Sequence, residues 1–170
     1  MKKLLLLLML FSTPVMAEEP IVGAFGLKLG DVWDGEATKT YEGDYYVGHH
    51  FIPESPSDMF AFYFINVTPI KGLIYTIGAG WNDDDCSIQF IALKKLLSKK
   101  YGSGEIVHKD RLLADAKGHE WFQGNRIIEL NCYPFTGYRL ILSYTDKFIE
   151  ASGIDELTAQ AEAQAESADL

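Results

Sequence analysis

Cysteine, histidine and basic residues are scarce in this 170-residue chain. It contains two cysteines and four histidines, and its 15 lysines and arginines face 24 acidic residues, so the net charge is −9. Such an acidic chain should be repelled by the phosphates of nucleic acids and of anionic membranes. We therefore expect no nucleic-acid partner and predict a basic protein as the electrostatic match. The competing interpretation is that the acidity only keeps the chain soluble.

The sequence also lacks the motifs that identify enzymes and metal sites. No Cys-x-x-Cys, His-x-x-x-His or Gly-x-Ser-x-Gly pattern occurs. His49 and His50 are adjacent in an expected strand, so their side chains should point to opposite faces and cannot easily hold one ion. We expect no metal, no cofactor and no catalytic residue. The alternative is a small periplasmic hydrolase with an unrecognised active site, for example a set of Ser57, His49 and Asp58.

Three consecutive aspartates, Asp83 to Asp85, stand directly before Cys86. A calcium loop of the EF-hand type needs acids at alternate positions, a glycine for the turn and a more distant glutamate, and this stretch lacks that spacing. We interpret the aspartates as the N-terminal cap of the following helix, where acids meet the positive end of the helix dipole. A metal site is the less favoured alternative.

The longest apolar run is short and stands at the N-terminus, in MKKLLLLLMLFSTPVMA. Two lysines, a leucine-rich core and small residues before Ala17 are typical of a secretory signal peptide, whereas a membrane span needs about 20 apolar residues. We predict cleavage after Ala17, a location in the periplasm or outside the cell, and no lipid anchor or membrane span. The predicted organisation is a signal peptide (1–17), one α+β domain (18–152) and an acidic C-terminal helix or tail (153–170).

Both cysteines, Cys86 and Cys132, lie in the part of the chain that we expect to be exported. An even number of cysteines in an oxidising compartment indicates a disulfide bond. We therefore predict that Cys86 and Cys132 are bonded to each other.

Hydrophobic periodicity predicts an α+β fold, in which an antiparallel sheet is packed by one long helix at about Asp84–Tyr101 and a weak helix ends the chain. Apolar residues at helical spacing predict the long helix, with Ile88, Ile91 and Leu96 widening its buried stripe. Gly102 should end it. The sequence contains no convincing internal repeat. Alternation or β-propensity predicts strands at 25–29, 41–52, 59–67, 72–80, 105–109, 118–122, 126–132 and 138–144.

Aromatic residues are abundant, with nine tyrosines, ten phenylalanines and three tryptophans. Aromatic side chains dominate protein interfaces, although most of these should fill the core. The loop from Phe51 to Asp58 mixes apolar, rigid and acidic residues, as a recognition loop does. Our candidate partner-binding residues are Phe51, Ile52, Glu54 and Asp58.

Two short motifs resemble those of a group of small bacterial exported proteins of unknown function. They are Phe25-Gly26-Leu27-Lys28-Leu29-Gly30, which matches Phe-Gly-x-x-Leu-Gly, and Lys100-Tyr101-Gly102 at the expected helix end. The layout is also similar to the small α+β modules of the outer-membrane assembly lipoprotein BamE and of β-lactamase inhibitory proteins. This chain departs from the lipoprotein in lacking a lipidation cysteine and from the inhibitors in lacking a clear tandem repeat, so no functional residue is carried over.

The resemblance implies binding rather than catalysis. We predict a non-catalytic exported protein-binding module, either of the inhibitor or immunity type or an accessory of envelope assembly.

Overall fold

An antiparallel sheet of eight strands forms the centre of the protein in a computed structural model that describes residues 18–81, 86–107, 117–133 and 140–168. A two-stranded hairpin precedes the sheet, and two helices accompany it. The elements in chain order are β1 (Gly23–Ala24), β2 (Leu27–Lys28), β3 (Lys39–Gly43), β4 (Tyr46–Phe51), β5 (Phe62–Val67), β6 (Ile74–Trp81), α1 (Ser87–Tyr101), β7 (Glu105–Ile106), β8 (Lys117–Gln123), β9 (Arg126–Cys132), β10 (Leu140–Asp146) and α2 (Lys147–Ala168).

The strands of the large sheet lie in the order β3-β4-β5-β6-β10-β9-β8-β7. Four antiparallel strands followed by one helix occur twice along the chain, and the two four-stranded units join where β6 pairs with β10. The predicted α+β class is confirmed. The prediction of one long packing helix and a weak terminal helix describes the structure only in part, because α2 has 22 residues and α1 has 15.

One face of the sheet forms a wall of the core. The register places Ile65, Ile77, Tyr144, Ile128 and Trp121 side by side across β5, β6, β10, β9 and β8. Directly paired residues of antiparallel strands project to the same face. All five side chains are buried, so this row runs through the core.

Helix α1 belongs to the same core and packs near β9. Its buried residues are Phe90, Leu93, Leu97 and Tyr101, as their helical spacing predicts. The Tyr101 ring lies edge-on to that of Tyr144, with 6.4 Å between centroids. The helix ends at Tyr101, and Gly102 follows with a φ of 87°, as expected for a terminating glycine.

The predicted widening of this buried stripe is wrong. Ile88, Ile91 and Leu96 are 73%, 63% and 60% exposed. At 3.6 residues per turn they lie opposite or beside the buried positions, and one helix can press only one side against the sheet. The aliphatic residues of α1 therefore form two surfaces, of which one faces outward.

The predicted disulfide between Cys86 and Cys132 is present, with 5.8 Å between the Cα atoms. It joins the residue before α1 to the last residue of β9. A disulfide is compatible with an oxidising compartment. Helix α1 begins at Ser87 rather than near Asp84, and the aspartates that we expected to cap it lie outside the described residues.

Several predicted strands differ in extent. The segment that we predicted as a single strand at 25–29 is the β1–β2 hairpin, because Phe25 and Gly26 both have positive φ and reverse the chain. The segment that we predicted as a single strand at 41–52 instead contains the end of β3 and all of β4, which pair as a hairpin around the turn at Asp44-Tyr45. The C-terminal helix begins at Lys147 rather than near residue 153.

The strand predicted at 59–67 has apolar residues on both faces, but only one face of β5 is buried. Tyr63 and Ile65 are buried, whereas Phe62 and Phe64 on the other face are half-buried. The rings of these two phenylalanines lie against glycines of β6, in the space that a Cβ atom would need. Among the described residues, no helix is long and apolar enough to cross a membrane.

Candidate functional site

A pocket of about 280 Å³ opens beside the β1–β2 hairpin. Three stretches of chain meet there: the turn of the hairpin, the segment that follows β2, and the loop that follows β4. The lining residues are Phe25, Gly26, Leu27, Trp33, Gly35, Glu36, Phe51, Ile52, Pro53 and Glu54.

The hairpin turn gives the pocket a strained aromatic residue. Phe25 has a φ of 54° and Gly26 a φ of 84°, the two positive values that a type I′ turn requires. Glycine adopts this conformation freely, but a non-glycine residue there costs roughly 1–3 kcal/mol. The Phe25 ring packs edge-on against Phe60 and Tyr63, with 5.5 Å and 5.0 Å between centroids, and this packing offsets the strain.

Trp33 provides a second aromatic wall. Its indole lies edge-on to the ring of Phe51 at 5.7 Å and is stacked with His49 at 6.1 Å. Partial burial lowers the pKa of His49 below its usual value, because the charged imidazole would lose hydration. Burial thus favours the neutral form of the imidazole beside Trp33.

Tyr63 of β5 helps to hold the loop after β4 to the sheet. The hydroxyl of Tyr63 accepts a hydrogen bond from the Ser57 backbone nitrogen at 2.6 Å and donates one to the Ser57 carbonyl at 3.1 Å. Before that anchor, Phe51 is buried and Ile52 is 73% exposed. The loop thus keeps an apolar side chain at the pocket mouth, where a ligand can reach it.

Both charged groups of the lining are acidic. Glu36 and Glu54 are exposed at the pocket, and the other eight lining residues are aromatic, aliphatic, glycine or proline. An apolar interior with an acidic rim selects for a ligand that joins an apolar group to a positive charge.

The structure brings together three of the four predicted partner-binding residues. Phe51, Ile52 and Glu54 line the pocket, whereas Asp58 is exposed and does not line it. Sequence reasoning missed the contributions of the Phe25 turn and of Trp33. The Phe-Gly pair was the available signal for the turn, because glycine readily adopts the positive φ that a tight hairpin requires.

The residues considered for a hydrolase have other engagements. His49 Nδ1 is hydrogen-bonded to Thr40 Oγ1 at 3.0 Å, and Ser57 Oγ accepts a hydrogen bond from the Met59 backbone nitrogen at 3.2 Å. No hydrogen bond joins Ser57, His49 and Asp58 to one another in the described part of the chain. Nor does that part contain a group of three or more histidine, cysteine, aspartate or glutamate residues able to hold a metal ion.

Comparison of this chain with protein-family models, with curated proteins and with solved structures finds no match. The pocket's own geometry and chemistry therefore carry the functional argument.

Proposed function

We propose that this protein is an exported, non-catalytic binding module whose pocket takes an apolar side chain from a basic protein partner. The observation that carries the proposal is the convergence of Phe25, Trp33 and the Phe51–Glu54 loop on one cavity with an acidic rim. The location that we propose is the periplasm or the extracellular space. The disulfide between Cys86 and Cys132 supports an oxidising location.

The size of the pocket favours a side chain over a whole small molecule. Its volume of about 280 Å³ lies at the lower limit of small-molecule sites, which span about 300–1,000 Å³. Burying one large apolar side chain contributes about 1.5–3 kcal/mol, equivalent to about 10- to 150-fold in affinity. Such an anchor suits a protein inhibitor, an immunity-type protein or an accessory of envelope assembly.

The acidic rim should act mainly on selectivity and on the rate of association. Exposed ion pairs contribute only about 0–1 kcal/mol each, but they attract a basic partner and repel an acidic one. The interaction should therefore weaken as salt is raised, because screening shortens the reach of the charges of Glu36 and Glu54.

Selection from a displayed library of random peptides tests this proposal without requiring that the partner be identified. We expect the enriched peptides to carry an aromatic or large aliphatic residue next to lysine or arginine. Their binding should be lost in Ile52→Asp and weakened in the double variant Glu36→Lys/Glu54→Lys. It should persist in Glu42→Lys/Asp44→Lys, which makes the same change of charge at exposed positions outside the pocket.

Two results would contradict the proposal. Enriched peptides without a basic residue would refute the role of the rim. Binding that survives Ile52→Asp and the rim variant equally would place the interaction elsewhere on the surface. Far-ultraviolet circular dichroism of each variant establishes that a loss of binding is not a loss of folding.

A further inference from the structure

The outward surface of α1 is aliphatic and basic, although the protein as a whole is acidic. Ile88, Ile91 and Leu96 are at least 60% exposed, and Lys95 and Lys99 are exposed on the same side of the helix. Large aliphatic side chains grouped on a surface mark interaction sites more often than isolated ones do. Because the lysines accompany them, the matching surface should be apolar and negatively charged.

The second half of α2 has the opposite character. All residues from 158 to 167 are exposed, so within the described residues this part of the helix packs on nothing. A helical stretch of about ten residues gains little stability without tertiary packing. Asp155, Glu162 and Glu166 share one face, since seven and eleven residues are close to whole numbers of turns. Small alanines, including Ala161 and Ala165, lie beside this acidic row.

The spacing of the charges on the two helices matches. Lys95 and Lys99 are four residues apart, as are Glu162 and Glu166, so each pair is separated by about 6 Å along its helix axis. Among the described residues, none forms a salt bridge with any of these four side chains. A parallel alignment of the helices would bring both pairs together.

In the same alignment, with Lys95 against Glu162, Ile91 lies level with Thr158 of α2 and Ile88 lies level with Asp155 at the start of the acidic row. The alanines farther along α2 allow the two helices to approach closely, because they place little bulk between the backbones.

We propose that two copies of this protein associate reciprocally, with α1 of each copy docked on the second half of α2 of the other. Complementary charge indicates that a second copy covers the outward surface of α1, because α2 of this same protein carries an acidic row that matches the lysines. A twofold arrangement makes both contacts at once and closes the assembly as a dimer. The ion pairs fix the alignment and add salt dependence, and the aliphatic side chains beside the lysines lose exposed surface in the contact. No residue of the pocket takes part.

A charge-swap experiment tests this dimer. One variant is Lys95→Glu/Lys99→Glu, and the other is Glu162→Lys/Glu166→Lys. Analytical ultracentrifugation should show the unaltered protein as a concentration-dependent dimer that weakens by about tenfold or more at high salt. Each variant alone should be monomeric, because both of its helix contacts then join like charges.

Mixing the two variants should restore the dimer. In the mixed pair, the glutamates on α1 of the first variant face the lysines on α2 of the second, and the lysines on α1 of the second variant face the glutamates on α2 of the first. Both helix contacts then join opposite charges, so a heterodimer of one copy of each variant is expected. The control is Lys28→Glu/Lys39→Glu, which reverses two exposed lysines outside α1 and should still dimerise.

Three outcomes would overturn the proposal. The unaltered protein could remain monomeric at all concentrations. The mixed variants could fail to pair although each is folded by circular dichroism. The unaltered protein could stay monomeric yet bind phosphatidylglycerol vesicles through Lys95 and Lys99, in which case the outward surface of α1 would serve an anionic membrane instead.

Discussion

The disulfide allows a quantitative prediction about the stability of the fold. Cys86 and Cys132 are separated by 46 positions, and their bond restricts the unfolded chain by closing this loop. The chain-entropy relation for a loop of that length gives about 4 kcal/mol of stabilisation at 25 °C. Replacing both cysteines by alanine should therefore lower the free energy of unfolding by about that amount.

Alanine is the better replacement because both cysteines are buried. Serine would bury two hydroxyl groups, and each one without a partner would cost about 1–3 kcal/mol for a reason unrelated to loop closure. The bond also holds the start of α1 against the end of β9. The alanine variant should accordingly show faster amide hydrogen exchange in the first turn of α1 than in its buried middle.

Urea unfolding followed by tryptophan fluorescence measures the change. The dependence of the unfolding free energy on urea should become steeper in the variant, because an unfolded chain without the bond exposes more surface. Unaltered protein unfolded in the presence of a thiol reductant is the matched control and should lose a similar amount without any change in side-chain volume. A loss below about 1 kcal/mol in both samples would refute the loop-closure argument.

Three further predictions concern the cap of α2, the end of α1 and the histidines. Asp146 accepts hydrogen bonds from backbone nitrogens in the first turn of α2 at 3.1 and 3.3 Å, so Asp146→Ala should lower the unfolding free energy by about 1–2 kcal/mol in urea, and Asp146→Asn, which can still cap, by less. Trp121 is buried and donates a hydrogen bond from Nε1 to the Gly102 carbonyl at 2.9 Å. Trp121→Phe leaves that carbonyl without its partner and should lower the unfolding free energy by about 1–3 kcal/mol. An unchanged unfolding free energy would show that water replaces the bond. Burial lowers the pKa of both His49 and His50 in the folded protein, so as the pH falls the unfolded chain binds protons at a higher pH than the folded protein does. The melting temperature should therefore fall as the pH drops below about 6.5. Substitution of both histidines by glutamine should make the melting temperature less dependent on pH in this range.

Local patterns predicted the elements that a single stretch of sequence determines. Helical spacing predicted the end of α1 at Tyr101 and its buried side, because a terminating glycine and a 3.6-residue period need no tertiary information. The break predicted between the strands at 118–122 and 126–132 likewise coincides with the turn at Gly124-Asn125.

The errors arise where tertiary contacts decide between two locally equal choices. Ile88 and Ile91 are as apolar as Leu93, and only the position of the sheet determines which of them is buried. The first two residues of β3 depend on pairing with β4, so these polar residues carry no local signal of a strand.

The pocket could be predicted only in part, for the same reason. The loop beginning at Phe51 was identifiable from its mixture of rigid, apolar and acidic residues. Trp33 and Glu36 come from a segment that looks like an ordinary turn in sequence. They reach the pocket because the backbone after β2 hydrogen-bonds to the sheet, with the nitrogen of Gly30 donating to the carbonyl of Ile74 at 2.8 Å.

The conformation of Phe25 favours the proposed binding role of the hairpin over a purely structural role. A turn that served only to reverse the chain would be more stable with glycine or asparagine at this position, by roughly 1–3 kcal/mol of backbone strain. The phenylalanine tolerates this strain because its ring packs on Phe60 and Tyr63, and its exposed edge lines the pocket. Local propensity and native conformation disagree most often at functional sites, where other contacts compensate. The strained turn therefore supports the proposal that this pocket, rather than the half-buried phenylalanines of the opposite sheet face, is the binding site.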